Sequence, residues 1–353
     1  MPRLAKFLEK YDTVLFDMDG VITTEQMYWN TAALTVFEML HSNKYYGKED
    51  FDVKKASEDM WKIRKEVFLD DKIISFVKES GVNSNWDLVY LVLGSAIILE
   101  TDNDFEKIYN YLLSLDNSTV FKLFDELAHR LSEKTGWELT YCTRLFDFWN
   151  RCTLVFQEWY LGSELYEKTL NLKPYESKKD GLSTKEDPLF PMDKLLTLLT
   201  LLNKSGKRIG IGSGRPGIEL DGPLDSWDIR KYFTQDAIID YTFLSETEKK
   251  LNLAERNINL VKPHPYMFLK GIFGRDYDDE KILSGDFDKE KCKKTLVVGD
   301  AGADMFAAFA AGCDFAAVLT GITGNRARDF FENENATYIL NDVTFLMEED
   351  NEN

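Results

Sequence analysis

With 353 residues, the chain is long enough for about two domains with apolar cores. An apolar content of 44% excludes wholesale disorder, and a net charge of −18 argues against binding to nucleic acids or anionic membranes, which need basic surfaces. The longest apolar stretch, Leu88 to Leu99, is too short to cross a bilayer, which takes about 20 residues. Residues 1–12 carry charges of both signs and no apolar segment typical of a signal peptide, and the 4 cysteines lack metal-site spacing. We therefore expect a cytoplasmic protein.

The first informative motif is an apolar run, Val14 to Phe16, that leads directly into Asp17, Asp19 and Gly20. Side chains two apart on an extended backbone project to the same side, so the two carboxylates should lie close together at the end of a strand. Like charges at that distance repel unless one is protonated or a cation lies between them. The motif suits a nucleophile, a general acid/base and a magnesium site in one small volume. A simple Asp- and Gly-rich turn is the alternative.

The next 150 residues lack clear strands, and their apolar positions recur with a helical period. Helices are predicted over 26–41, 50–69, 71–80, 86–100, 103–115 and 118–134, with a broad apolar stripe from Thr140 to Leu170. Pro174 to Pro188 has the composition of a linker. Arg144 and Arg151 lie on one side of a predicted helix and can bind a substrate anion, although ion pairs with neighbouring acids are the favoured interpretation.

Short apolar strands are predicted at 13–17, 207–212, 236–240, 294–299 and 314–319. Strands of this kind, separated by helices, predict a parallel α/β sheet with its active site at the carboxyl ends of the strands. The second strand ends at Ser213, within a G-x-G-x-x-G pattern from Gly212 to Gly217. We do not favour a dinucleotide site there, because that site needs a sustained helix and Asp221-Gly222-Pro223 is expected to break one.

A second carboxylate pair follows the predicted strand at 294–299. Asp304 lies one helical turn beyond Asp300, so both side chains can point at one spot and bind a hard cation such as Mg²⁺. Acids favoured by the dipole at a helix N-terminus are the alternative. The acidic insert from Gly274 to Glu290, which precedes this strand, is predicted to form a surface loop or an extra helix.

Taken in order, four motifs make the chain resemble the haloacid dehalogenase (HAD) superfamily of phosphohydrolases. They are Asp17-Met18-Asp19-Gly20, the strand ending at Ser213, Lys262 within Val261 to Pro265, and Asp300 through Asp304. The resemblance covers residues 11–30 and about 186–347, and is to the members with a helical C1-type cap, the phosphoglycolate phosphatases and β-phosphoglucomutases. It implies an α/β fold with a Rossmann-like core of about five parallel strands. Residues 1–24 and 186–353 would form this core, and residues 25–185 an enlarged all-helical cap that opens for substrate and closes to exclude water.

The resemblance also implies the role of each site residue. Asp17 would attack phosphorus and form an aspartyl-phosphate, while Asp19 would protonate the leaving oxygen and then deprotonate water. The substrate phosphate would be bound by Ser213, Gly214, Arg215 and Lys262, with a surface ion pair as the favoured alternative for Arg215. Mg²⁺ would be held by Asp17, Asp19 (through its backbone carbonyl), Asp300 and Asp304.

These expectations describe a magnesium-dependent phosphatase that hydrolyses a small phosphate monoester. The alternatives are a phosphomutase of the β-phosphoglucomutase type, which keeps both Asp17 and Asp19, and a non-catalytic protein that binds a ligand or partner. We expect the partner to be a small phosphorylated metabolite, with no nucleic acid and no membrane. The sequence does not predict the substrate or the oligomeric state.

Overall fold

The computed structural model describes residues 2–82, 84–256 and 258–348, and it has a mixed α/β architecture. The chain divides into two compact units. Residues 1–25 and 186–353 form an α/β unit, and residues 26–185 form a helical unit. The predicted core and cap also include residues 1, 83, 257 and 349–353, which lie outside the described residues.

The α/β unit contains a six-stranded parallel sheet, with a separate two-stranded antiparallel pair. The strands are β1 (Arg3–Leu4), β2 (Thr13–Phe16), β3 (Arg208–Gly212), β4 (Ile238–Ile239), β5 (Thr295–Gly299), β6 (Asp314–Val318), β7 (Tyr338–Leu340) and β8 (Met347–Glu348). The order in the sheet is β4-β3-β2-β5-β6-β7, and the outer pair joins β1 to β8. In the central register, Leu15 lies opposite Gly210 on β3 and Val297 on β5.

The sheet therefore has one strand more than the sequence predicts. The additional strand, β7, is short, half-buried and at the edge of the sheet, where it pairs with β6 from Ala316↔Tyr338 to Val318↔Leu340. A three-residue segment is too short for a periodic pattern, so its pairing depends on the neighbouring strand rather than on its own sequence.

Alternating side chains of the sheet fill two separate cores, one on each face. Val14 and Phe16 of β2 pack into one core and Leu15 into the other, as the period of two requires. The faces are covered by helices, α11 (Met192–Lys204), α12 (Gly217–Ser226), α13 (Tyr241–Lys250), α14 (Tyr266–Phe273), α15 (Asp279–Ser284), α16 (Lys289–Lys293), α17 (Gly302–Ala311) and α18 (Arg328–Asn333). Burial on both faces explains why these strands are continuously apolar in sequence.

Three helices in this unit test predictions made from the sequence. The expectation that Asp221-Gly222-Pro223 breaks a helix is wrong, because α12 continues through Pro223 to Ser226. Burial of Leu220 and Leu224 offsets the hydrogen bond that proline cannot donate. The acidic insert contains α15 and the start of α16. Each of these short helices is preceded by an aspartate that accepts a hydrogen bond from a backbone amide of the first turn.

The helical unit contains α1 (Gln26–His41), α2 (Val53–Glu58), α3 (Met60–Val67), α4 (Lys72–Glu79), α5 (Asn85–Leu99), α6 (Phe105–Ser114), α7 (Val120–Thr135), α8 (Leu139–Cys142), α9 (Asp147–Leu161) and α10 (Ser163–Leu170). The predicted helix over 50–69 is interrupted between α2 and α3, and the apolar stripe over 140–170 is divided among α8, α9 and α10. Leu145 and Gly162 have φ of 71° and 81°, which an α-helix does not allow.

Charged side chains within the helical unit form buried or half-buried ion pairs. Arg144 pairs with Asp87 at 2.7 and 2.9 Å, as the favoured interpretation of this arginine predicts. Lys179 is fully buried and donates to both Glu38 at 2.7 Å and Glu158 at 3.0 Å. Among the described residues, no helix combines the length and apolar character needed to cross a membrane.

Candidate active site

The predicted site residues follow three neighbouring strands of the parallel sheet, at its carboxyl edge. Asp17 follows β2, Ser213 follows β3 and Asp300 follows β5. The backbone amide of Asp17 donates to Val298 O at 2.9 Å, and that of Ser213 donates to Ile239 O at 3.0 Å. The ladder of hydrogen bonds thus extends into the site and holds these residues on rigid backbone.

Three carboxylates meet at this edge. Each of Asp17, Asp300 and Asp304 offers an oxygen, and these oxygens lie within 4.8 Å of one another. Asp304 is in the first turn of α17, and its Oδ2 accepts a hydrogen bond from the Ala301 amide at 3.3 Å. Hard divalent cations prefer such carboxylate oxygens, so the donor set fits Mg²⁺.

Lys262 lies among these acids and pairs with two of them. Its Nζ is 2.9 Å from Asp17 Oδ1 and 2.6 Å from Asp304 Oδ1, and it lies 5.2 Å from the ring centroid of Phe268. Burial alone would lower the pKa of Lys262, but the charges of Asp17 and Asp304 outweigh burial and raise it. The lysine therefore stays positively charged within the site.

The pKa of Asp17 is raised to about 7. Burial is the main cause, since a charged carboxylate loses hydration there, and the negative charges of Asp304 and Asp19 raise the pKa further. The positive charge of Lys262 lowers the pKa of Asp17 but does not compensate for burial and the two negative charges together. A cation placed among these carboxylates would supply the missing positive charge.

Arg215 lies inside the site, so the expected surface ion pair is wrong. Its side chain is 2% exposed, and its guanidinium donates to both oxygens of Asp19, to Thr23 Oγ1 and to Glu186 Oε1. The acidic partners Asp19 and Glu186 compensate the positive charge of the buried arginine. Whether Arg215 also contacts a substrate phosphate stays a prediction.

Ser213 and Gly214 form the turn between β3 and Arg215. Ser213 is fully buried, and its Oγ accepts a hydrogen bond from the Arg215 amide at 3.1 Å. Glu186, which binds Arg215, was missed because no sequence motif surrounds it. Its position near the end of the predicted linker, Pro174 to Pro188, gives no sign that it contacts the site.

Sequence comparison assigns part of this unit to a known family. Residues 260–346, which include Lys262, Asp300 and Asp304, match the family described as HAD-hydrolase-like. Together with the motifs of the sequence, this match shows that the chain is similar to the HAD superfamily. The resemblance inferred from the four motifs is thereby confirmed, as is the α/β fold. No curated protein sequence gives a significant match to this chain.

Solved structures include one with a similar fold along nearly the whole chain. It is an X-ray structure of a target of the Northeast Structural Genomics Consortium, with 26% identity, a TM-score of 0.80, and coverage of 95% of this chain and 97% of its own. A β-phosphoglucomutase from Clostridium difficile has 14% identity, a TM-score of 0.42, and coverage of 95% and 92%. A predicted phosphoglycolate phosphatase from Haemophilus somnus 129PT has 14% identity, a TM-score of 0.42, and coverage of 96% and 96%. Identities and TM-scores as low as those of the last two structures indicate neither the activity nor the substrate of this chain.

Proposed function

We propose that this protein is a magnesium-dependent phosphatase of the HAD type that hydrolyses a small phosphate monoester. The observation that carries the proposal is the meeting of Asp17, Asp300 and Asp304 within 4.8 Å, with Lys262 paired to Asp17. Phosphoryl transfer needs in-line positioning and neutralisation of spread negative charge. The fixed carboxylate of Asp17 provides the positioning of the nucleophile, and the buried Lys262 beside it neutralises part of the negative charge.

In the first step, a carboxylate oxygen of Asp17 attacks phosphorus, and the bond from phosphorus to the leaving oxygen breaks. The product is an aspartyl-phosphate on Asp17, and the leaving oxygen takes a proton from Asp19 when it is an alkoxide. Lys262, held between Asp17 and Asp304, remains close enough to stabilise charge on the transferred group.

In the second step, water attacks phosphorus and the bond to Asp17 breaks, which restores the free carboxylate. Asp19 accepts the proton that the water loses, so over one cycle that proton passes from water to the leaving group. Asp17, Asp300 and Asp304, with the backbone carbonyl of Asp19, would hold the Mg²⁺ ion. When bound, the ion would neutralise charge on the phosphate oxygens.

The test is hydrolysis of p-nitrophenyl phosphate with and without Mg²⁺. We expect turnover by the wild type with Mg²⁺, strong loss without it, and loss in Asp17→Asn. Asp286→Asn is the matched control, because Asp286 is an exposed aspartate of the same unit. Equal activity of wild type and Asp17→Asn would remove the nucleophile assignment.

A panel of phosphorylated metabolites would then identify the substrate. Release of free phosphate supports a phosphatase, whereas conversion of a sugar phosphate to its isomer supports the phosphomutase alternative. We propose that the partner is a small phosphorylated metabolite and that the protein is cytoplasmic. The role of residues 25–185 as a cap that sets specificity also stays a prediction.

A further inference from the structure

Both carboxylate oxygens of Asp19 are occupied by donors from Arg215. Nε lies 3.1 Å from Oδ1 and 3.0 Å from Oδ2, and NH2 makes a further short contact with Oδ1. Thr23 Oγ1 lies 3.1 Å from the same Oδ1. Paired hydrogen bonds from a planar guanidinium fix both the position and the plane of a carboxylate.

This arrangement orients the carboxylate without closing it to protons. The two oxygens of a carboxylate have about four lone-pair positions, which is more than the donors of Arg215 and Thr23 fill. Asp19 is also partly open, since 27% of its side chain is exposed. The fixed carboxylate can therefore take a proton from a water molecule.

Arg215 is itself fixed on its far side. NH1 lies 3.2 Å from Glu186 Oε1, and the side chains of Arg215 and Glu186 are 2% and 1% exposed. NH2 also donates to Thr23 Oγ1 at 3.1 Å. A buried arginine whose donors are directed at two carboxylates and a hydroxyl is held in one orientation, and that orientation is passed on to Asp19.

We propose that Arg215, anchored by Glu186, is a positioning residue that holds Asp19 for activation of water in the second step. This inference depends on the function proposed above. In this role Arg215 acts through Asp19 rather than by contact with the reacting atoms. Its loss should slow hydrolysis of the aspartyl-phosphate more than its formation from an aryl phosphate, because a nitrophenolate leaves without a proton.

The test compares Arg215→Lys and Glu186→Gln with the wild type by rapid mixing with p-nitrophenyl phosphate and Mg²⁺. Lysine keeps the charge but cannot bind both oxygens of Asp19. We expect steady-state kcat to fall about 10- to 100-fold in Arg215→Lys. In Arg215→Lys, a burst of nitrophenolate should appear that approaches one equivalent per enzyme and is larger than in the wild type. Glu186→Gln should show a smaller change of the same kind. Arg230→Lys is the matched control, since Arg230 also contacts two carboxylates, Asp221 and Asp225, outside this network.

Other outcomes overturn the inference. A rise in KM and in the inhibition constant of inorganic phosphate, without a burst, would mean that Arg215 binds the phosphate directly. A lower melting temperature with no change in the burst would mean a structural role.

If Arg215→Lys does not fold, the substitute experiment is rescue of the second step in Arg215→Ala by added guanidinium. Absence of rescue in folded protein contradicts the proposal. No turnover by the wild type contradicts the proposed function and the inference together, whereas Asp17-dependent turnover without the burst contradicts the inference alone.

Discussion

Gly20 and Asp300 are in such close contact that a β-carbon at residue 20 would lie 2.4 Å from Asp300 Oδ2. Gly20 also has φ of 71°, a conformation that costs other residues about 1–2 kcal/mol. The absence of a side chain therefore lets the loop after β2 approach the carboxylate that follows β5. Gly321 makes a similar approach, with its β-carbon position 2.1 Å from the same oxygen.

Gly20→Ala should displace Asp300 and weaken Mg²⁺ binding by about 10-fold or more. The measurement is the Mg²⁺ concentration that gives half-maximal hydrolysis of p-nitrophenyl phosphate. Gly206→Ala is the matched control, because Gly206 has φ of 73° but no heavy atom lies within 4 Å of its β-carbon position. Both variants should lose some stability through backbone strain, but only Gly20→Ala should need more Mg²⁺. Equal Mg²⁺ dependence in the two variants would contradict this role of Gly20.

Lys262→Met should separate charge stabilisation from metal binding. The substitution removes the cation paired with Asp17 and Asp304, so we expect kcat to fall about 10²- to 10³-fold. Binding of Mg²⁺ should not weaken, because two carboxylates lose a competing positive charge. Steady-state kinetics at several Mg²⁺ concentrations measures both effects, and Lys249→Met, at an exposed position on α13, is the control. Weaker Mg²⁺ binding with unchanged kcat would be the opposite of the expected result.

The metal-free protein should release a proton from Asp17 when it binds Mg²⁺ near neutral pH. The pKa of Asp17 is raised to about 7 by burial, so at pH 6 this side chain is largely protonated and must ionise to become a ligand. Affinity for Mg²⁺ should therefore increase as pH rises from 6 to 8. Calorimetry in two buffers of different ionisation enthalpy measures the released proton.

The same shift affects the stability of the metal-free protein. Because the pKa of Asp17 is higher in the folded than in the unfolded chain, the stabilising proton is present at low pH and is lost as pH rises through about 7. Asp17→Asn should remove this part of the pH dependence. If the heat of Mg²⁺ binding does not depend on pH and no proton is released, the raised pKa of Asp17 is contradicted.

Lys179→Met should destabilise the helical unit by about 3–5 kcal/mol, because it leaves Glu38 and Glu158 buried without a cation. Burial already raises the pKa of Glu38 despite the lysine, so this carboxylate is under electrostatic strain in the folded protein. The triple variant Lys179→Met, Glu38→Gln and Glu158→Gln should recover much of the loss. Urea unfolding followed by tryptophan fluorescence measures the effect, since Trp159 donates to Glu38. Unchanged stability of Lys179→Met would contradict the importance of this ion pair.

Much of the α/β fold could be predicted because each strand is marked by a pattern within a few neighbouring residues. The strands predicted at 207–212 and 294–299 differ from β3 and β5 by one residue at one end. Continuous apolar runs of four to six residues, followed at once by a carboxylate or a small polar residue, are visible in a short window. The short edge strand β7 and the helix through Pro223 could not be predicted in this way, because packing against neighbours outweighs the local signal.

The sequence by itself determined the family resemblance, the α/β class and the acidic residues at the strand ends, because these depend on the order and spacing of neighbouring residues. Only the tertiary structure decided which distant side chains pair. Arg215 binds Asp19 across 196 residues of chain, and Lys262 binds Asp17 across 245. Such contacts have no sequence period, because they arise from loops that converge at one edge of a folded sheet.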